Sequence, residues 1–470
     1  MNWCKGEDGA TPDLRIGGCT ALIQSGRYQG KELATILFNR GGGYYFEGQY
    51  DRAIQDFNQA IALNPQNVSI FRLRGLTYHE KGDFTRAIAD ISEAIRLEPN
   101  NASAYFDRGE SYRGKRDGDR AIADFSEAIR LDPKHAGAYY IRGLVYWIKR
   151  DYDRAIADYG EVIRLNPEYV ADAYKNRGLA YRDLAVLGKG DIGRAIADYD
   201  EAIRLNPKDA QTFHWRGNAY RSKGDNDNDN AIADYSEAIR LVLKDPKDRL
   251  VVHQSRGNAY RSKGDNDSAI ADYSEAIRLD PKLAVAYLYR GNSYYSKADY
   301  DRAIADYSEA IRLDPKNLNV FHDRGRAHFY GNALAKAHAD LGQAFKLNPN
   351  NMYTILWLDV VERRSNLPRR ISKNLSELDL TEWPGPLINL YLGKITPAKA
   401  LAVADDEYPN ETTKEDQVCD VVFYSGKLAL LRNAKEEAIS LFGRAVSDCP
   451  KNDAEREDAI AELKMLGVRP

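Results

Sequence analysis

The chain lacks most of what would mark a membrane protein, a nucleic-acid binder or an enzyme. No run of about 18 consecutive apolar residues occurs, so no segment reads as a helix that crosses a bilayer. Neither sign of charge dominates, with 67 Lys and Arg against 70 Asp and Glu, and a basic footprint for nucleic acid is missing. The seven histidines, at 79, 135, 214, 253, 322, 328 and 338, show no HExxH or other close ligand spacing. No GxSxG or P-loop appears, and carboxylates are spread too evenly to single out an acid–base pair. The stretch "DNDNDN" at 225–230 opens like a calcium loop. Counted from Asp225, however, position six is Asn230 and position twelve Ser236, where the loop needs Gly and Glu. A solvated, helix-capping turn is expected there. No enzyme, metal or cofactor reading therefore has residues to stand on.

What the chain has instead is repetition. "RGNAYRSKGDND" begins at Arg216 and again at Arg256. The Arg-Gly pair recurs at Arg40, Arg74, Arg108, Arg142, Arg177, Arg216, Arg256, Arg290 and Arg324, mostly 34 residues apart. This gives nine units between about residues 34 and 351. Each unit carries two helical patterns, A and B. In the eighth, Ala303, Ile304, Tyr307, Ala310, Ile311 and Leu313 fall at three- and four-residue steps and share one face. Asp299 is placed to cap helix B, and Pro315 ends it. A glycine follows each Arg of helix A, and Ala53, Ala87, Ala121 and their equivalents sit early in helix B. Glycine inside a helix costs about 0.5–1 kcal/mol relative to Ala, so nine copies point to a tight A–B crossing. Each Arg is matched by an Asp on helix B, sixteen residues later in the regular units (Arg40 with Asp56, Arg290 with Asp306). This series is expected to form a structural ladder rather than a ligand-binding row. Two insertions, 184–193 and the pair 225–230 with 241–248, are expected to bulge locally from an intact stack.

The period of 34, with Gly41, Tyr44, Gly48, Tyr50, Ala53, Phe57, Ala60 and Pro65, resembles the tetratricopeptide repeat (TPR). The resemblance implies an all-α TPR solenoid: antiparallel helix pairs stacked into a right-handed superhelix with helix A on the concave side. It also implies partners that are other proteins or extended peptides. By position in the repeat, the candidate groove residues are Arg72, His79, Phe106, Arg113, Tyr140, Trp147, Lys175, Arg182, His214, Arg221, Gln254, Arg261, Leu288 and Tyr295. Asn218, Asn258 and Asn292 join them at one equivalent position in three successive units. Long polar and aromatic side chains there suit an extended peptide. The family's carboxylate clamp, Lys followed four residues later by Asn on helix A, is broken in every unit: Lys175 is followed by Leu179. Chaperone-tail binding is therefore not expected.

All four cysteines lie outside the nine units. Cys419 starts and Cys449 ends a diverged repeat in which Ser425 to Pro450 keeps the Arg40-to-Pro65 spacing, so a disulfide is sterically reasonable. Cys4 and Cys19 form a second pair at the other end. Two local staples suit an oxidising compartment. "MNWCKGEDG" has no basic start and apolar stretch, which fits either a cytoplasmic protein or a mature exported one; the cysteine pairs favour an exported, periplasmic protein with its signal removed, a cytoplasmic one being the alternative. The last 115 or so residues, with "WPGPLINLYLGKIT", "FYSGKLALL", "EEAISLFGRAV" and "AELKMLG", resemble the C-terminal module of NlpI-type bacterial lipoproteins. That resemblance implies an adaptor of the bacterial cell envelope. The expected organisation is a capping helix region at 1–33, nine units at 34–351 and the C-terminal module at 352–470. The expected function is a non-catalytic scaffold; the alternative is a regulatory or substrate-recruiting subunit of an enzyme whose catalytic centre is on another chain.

Overall fold

The computed structural model describes residue 4 and residues 11–165, 168–224, 227–241, 245–371, 378–404, 413–450 and 453–469. Every regular element among them is an α-helix. The chain divides into two compact blocks, Met1–Pro207 and Lys208–Pro470, the division falling between the fifth and sixth repeats.

The first block opens with α1 (Pro12–Gln24), whose Thr11 cap precedes a proline at the first helical position. Five A–B hairpins follow: α2 (Gly30–Phe46) with α3 (Tyr50–Leu63), α4 (Val68–Glu80) with α5 (Phe84–Leu97), α6 (Ala102–Gly114) with α7 (Gly118–Leu131), α8 (Ala136–Ile148) with α9 (Tyr152–Leu165), and α10 (Val170–Val186) with α11 (Ile192–Leu205). The second block holds α12 (Ala210–Lys223) with α13 (Asn228–Arg240), α14 (Pro246–Ser262) with α15 (Asn266–Leu279), α16 (Ala284–Ser296) with α17 (Tyr300–Leu313), and α18 (Leu318–Tyr330) with α19 (Leu334–Leu347). It continues through α20 (Met352–Arg364), α21 (Gly385–Tyr391), α22 (Pro397–Ala404), α23 (Lys414–Leu431), α24 (Lys435–Asp448) and α25 (Ala454–Met465).

The repeated glycine has a definite reason. A Cβ on Gly109 would lie 2.7 Å from Cε1 of Phe125, and one on Gly217 2.7 Å from Cε1 of Tyr235. The B-helix ring occupies the space that any side chain on helix A would need. Gly426 meets Phe442 in the same way at 2.7 Å, so the diverged repeat of α23 and α24 keeps the crossing of the regular hairpins. The B-helix alanines, among them Ala53, Ala121, Ala231 and Ala303, are fully buried. Asp299 caps α17 by accepting from the Arg302 backbone N–H.

The Arg–Asp series is a ladder, and it reaches further than the sequence indicated. In each of the nine hairpins the A-helix arginine grips the B-helix aspartate through two donors, as Arg108 does with Asp124 at 2.7 and 2.8 Å. The inserted hairpins keep the rung: Arg177 pairs with Asp198 and Arg216 with Asp234. The remaining nitrogen of most rungs donates to the preceding B helix, as Arg74 does to Asn58 at 2.6 Å, Arg142 to Ser126 at 2.9 Å and Arg290 to Ser274 at 3.0 Å. One guanidinium thus joins three helices. At the start of the array Arg40 makes this third contact to Thr20 of α1, which takes the place of a preceding B helix.

The insertions do more than bulge. The first lengthens α10 to 17 residues. The second supplies the first turn of α14, begun by Pro246 and capped by Asp245, while residues 225–226 and 242–244 lie outside the described residues. Between residues 366 and 409 the regular repeat lapses into the two short helices α21 and α22; residues 372–377 and 405–409 of that stretch lie outside the described residues. Disulfides join Cys4 to Cys19 and Cys419 to Cys449, with Cα atoms 4.7 and 5.3 Å apart.

Candidate functional site

The candidate residues lie on the A helices, and much of their chemistry goes into joining one A helix to the next. In the first block His79 on α4 meets Ser111 on α6 at 3.1 Å, and Arg72 pairs with the buried Asp107. The Trp147 indole on α8 donates to Asp183 on α10 at 3.0 Å, and Tyr140 accepts from Asn176 at 2.9 Å. Phe106 packs on Phe125 and His135. The other candidate cations of this block are matched as well: Arg113 by Glu110, Lys175 by Asp172, Arg182 by Asp183. The face that results is polar, half-buried and nearly neutral. At its edge the longer α10 brings exposed Val186 and Leu187 beside Trp147 and Ile148.

The second block differs. Asn218, Asn258 and Asn292 each accept from the tyrosine that fills the glycine crossing of their own hairpin, Tyr235 at 2.8 Å, Tyr273 at 2.7 Å and Tyr307 at 2.8 Å. Arg221 and Arg261 lie against the hydroxyls of Tyr235 and Tyr273, and burial pushes the Tyr235 phenol up to about 12. Arg261 also reaches over the Tyr289 ring. His214 bridges to Ser255 at 3.4 Å, and the Leu288 side chain packs into the core. Gln254 is half-buried on α14.

Tyr295 corrects the expectation of an open groove along the whole array. It is 7 % exposed, and its hydroxyl donates to Asp458 of α25. The chain's own last helix lies across α16, α18 and α23. Asp458, fully buried, also accepts from Arg326 at 2.7 Å; Glu457 accepts from Ser296 at 2.5 Å. Further along α25, Glu462 pairs with the buried Lys427, whose ammonium sits 4.2 Å from the ring centre of Trp357 and 4.4 Å from that of Phe329. From the eighth hairpin onward the A-helix face is occupied from within.

Arg326 and Lys427 escaped the sequence reading, although a signal existed. Both directly follow the crossing glycine, Gly325 and Gly426, and so occupy the position of Asn218, Asn258 and Asn292. Where the array places a cation there instead of Asn, α25 is held. A cavity of about 170 Å³ opens beside the start of α25, lined by Arg261, Asn292, Tyr295, Tyr307, Asp323, Arg326, Ala454 and Glu457. Burial pushes Asp323 up to about 6 and Glu457 up to about 7, in Glu457's case against the Ser296 hydrogen bond and the Arg326 charge. Gly188, Gly190 and Gly193 have the GxGxxG spacing, which the sequence reading passed over. Gly188 and Gly190 lie in the turn between α10 and α11 and Gly193 in the first turn of α11, without the preceding strand that a dinucleotide cradle requires. No cluster of three or more metal-binding side chains occurs among the described residues, and no described helix is long and apolar enough to cross a membrane.

Sequence models confirm the repeat. One, described as the TPR repeat, matches residues 43–82, 75–115, 187–224, 257–297 and 291–330. Another, the tetratricopeptide repeat, matches 106–170. Together they span just over half of the chain. The chain belongs to the tetratricopeptide-repeat family. Proteins of this family are interaction scaffolds that bind proteins or peptides. Among solved structures, the TPR chain is similar to the MamA protein at 28 % identity, over 38 % of this chain and 94 % of that one, with a TM-score of 0.34. It is similar to the C-terminal part of a TPR repeat-containing protein from Cytophaga hutchinsonii at 19 % identity, over 53 % and 97 %, with a TM-score of 0.47. It is also similar to YrrB, described as a TPR protein with an unusual peptide-binding site, at 20 % identity over 42 % and 95 %, with a TM-score of 0.36.

Proposed function

We propose that this TPR protein is a non-catalytic adaptor of a bacterial cell envelope that binds partner proteins or peptides on its A-helix face. One observation carries the reading: α25 shows that the face takes a polypeptide segment, held by side chains at repeat positions that recur along the array. The sixth and seventh hairpins offer the same positions with no segment of the chain described upon them. The two cysteine pairs, one at each end, support an oxidising compartment. The likeness of the last 115 or so residues to NlpI-type lipoproteins supports the envelope.

Photo-reactive crosslinkers placed singly at His79, Arg113 or Gln254 on the A helices, and at Arg96, Arg130 or Arg278 on the B helices, test the face. Adducts identified by mass spectrometry are expected from the A-helix set. Partners captured only by the B-helix set would refute it. Alkylation of the unreduced native protein tests the compartment: four labelled thiols would end the envelope argument.

A further inference from the structure

The A-helix face of the second block already holds one ligand, and the chemistry of that ligand is acidic. Glu457, Asp458 and Glu462 of α25 meet Ser296, Arg326 and Lys427. Toward the start of the block the same face carries cations one helical turn further along. Arg221 and Arg261 stand three residues after Asn218 and Asn258, on the same side of their helices. Neither is paired with a carboxylate among the described residues, unlike Arg72, Arg113, Lys175 and Arg182 of the first block. Both lie beside a tyrosine hydroxyl that donates to the asparagine. The Arg261 Nε is buried with no hydrogen-bond partner, and its side chain forms one wall of the cavity at the start of α25.

We propose, building on the adaptor reading, that the A-helix face of the sixth and seventh hairpins receives an acidic peptide segment of the partner, with Arg221 and Arg261 taking its carboxylates. α12 and α14 are successive A helices, so the two arginines stand at one repeat position in adjacent hairpins. The segment would lie next to α25, with Asn218 and Asn258 supplying neutral hydrogen-bonding groups between the charges.

The probe is a fluorescein-labelled peptide copying residues 453–466, carrying a photo-crosslinker, measured by anisotropy against the full chain at low salt. A second peptide replaces every glutamate and aspartate in it by the corresponding amide. The acidic peptide is expected to bind at least tenfold more tightly than the amide one. Arg221→Gln with Arg261→Gln should weaken binding at least tenfold, while Arg240→Gln with Arg278→Gln, on the B helices, should not. Crosslinks should fall on α12 and α14. Equal binding of the two peptides, unchanged affinity of the Arg221/Arg261 variant, or no binding at all overturns the proposal. Crosslinks confined to α16 and α18 also overturn it, because the peptide then merely replaces α25. Crosslinks on A helices of the first block overturn it but leave the adaptor reading standing. Circular dichroism of each variant confirms that it is folded.

Discussion

Removing one half of a ladder rung should cost far more than removing both halves. Asp124 is 6 % exposed and receives two charge-assisted hydrogen bonds from Arg108, at 2.7 and 2.8 Å, while the Arg108 side chain is 20 % exposed and also donates to Ser92 at 3.1 Å. Asp124→Ala leaves a mostly desolvated guanidinium without its counter-charge. Breaking a buried pair in this way costs about 3–5 kcal/mol. The partial exposure of Arg108 admits water, so a smaller cost, about 2–4 kcal/mol, is expected. Replacing both residues, Arg108→Met with Asp124→Leu, removes the orphaned charge and should cost about 1 kcal/mol or less. A repeat array opens locally, so a midpoint for the whole chain dilutes the effect of one rung. Hydrogen exchange followed by mass spectrometry on peptides from α6 and α7 reports the local opening equilibrium. The single variant should raise opening roughly a hundredfold there, at about 1.4 kcal/mol per tenfold, and much less in α2 or α10. If Asp124→Ala exchanges like the wild type, or the double variant opens as readily as the two singles combined, the rung is only a surface ion pair.

Gly109→Ala should destabilise the third hairpin by about 1–3 kcal/mol, since its Cβ would meet the Phe125 ring at 2.7 Å; Phe125→Leu in the same chain should recover part of the loss in urea denaturation. Ala298 ends α16 at φ 58°, in the left-handed region, so Ala298→Gly should stabilise by about 1 kcal/mol, read as a higher urea midpoint. Reducing Cys419–Cys449, which closes a 30-residue separation, should cost about 3–4 kcal/mol, seen as earlier thermal unfolding of the second block in reductant. Glu457 binds its proton more tightly in the fold than in the unfolded chain, because burial raises it to about 7 against the Ser296 hydrogen bond and the Arg326 and Arg261 charges, with Asp458 adding to the rise. Its contribution is therefore full below about pH 4 and lost as the pH climbs through 7. Glu457→Gln should melt with the wild type at about pH 4.5 and above it at about pH 8; equal melting at both pH values would remove Glu457 from the docking of α25.

The parts of the fold that were legible in the sequence are those set by periodicity and by fixed spacing. Gly109 and Phe125 stand sixteen residues apart, as do Arg108 and Asp124, and both spacings are local enough to identify partners within one hairpin. The second reach of the ladder, from Arg142 to Ser126, was not anticipated although its spacing is also sixteen, because it joins two hairpins and so depends on how they stack. The occupied half of the site was hidden for a stronger reason. Tyr295 and Asp458 are separated by 163 residues, and nothing in the pattern of "AEREDAIAELKM" says which surface it covers. Only the change from Asn292 to Arg326 at one repeat position offered a hint.

That change also indicates how an array of near-identical copies acquires a place where something binds. Positions that every hairpin shares, the glycine, the large B-helix side chain against it (a ring in most hairpins, Ile91 and Leu341 in the second and ninth) and the Arg–Asp rung, are consumed in holding the stack. Binding chemistry must then come from positions that differ between copies. In the third hairpin the residue after the glycine is Glu110, which satisfies Arg113 on its own helix. In the sixth and seventh it is Asn218 and Asn258, which accept from tyrosines and leave Arg221 and Arg261 their charge. In the ninth and the diverged repeat it is Arg326 and Lys427, and α25 is held. The eighth carries Asn292 too, yet α25 covers its face through Tyr295 and Ser296, so the residue after the glycine sets the chemistry of its own turn while the docked helix also reaches the hairpin before its cations.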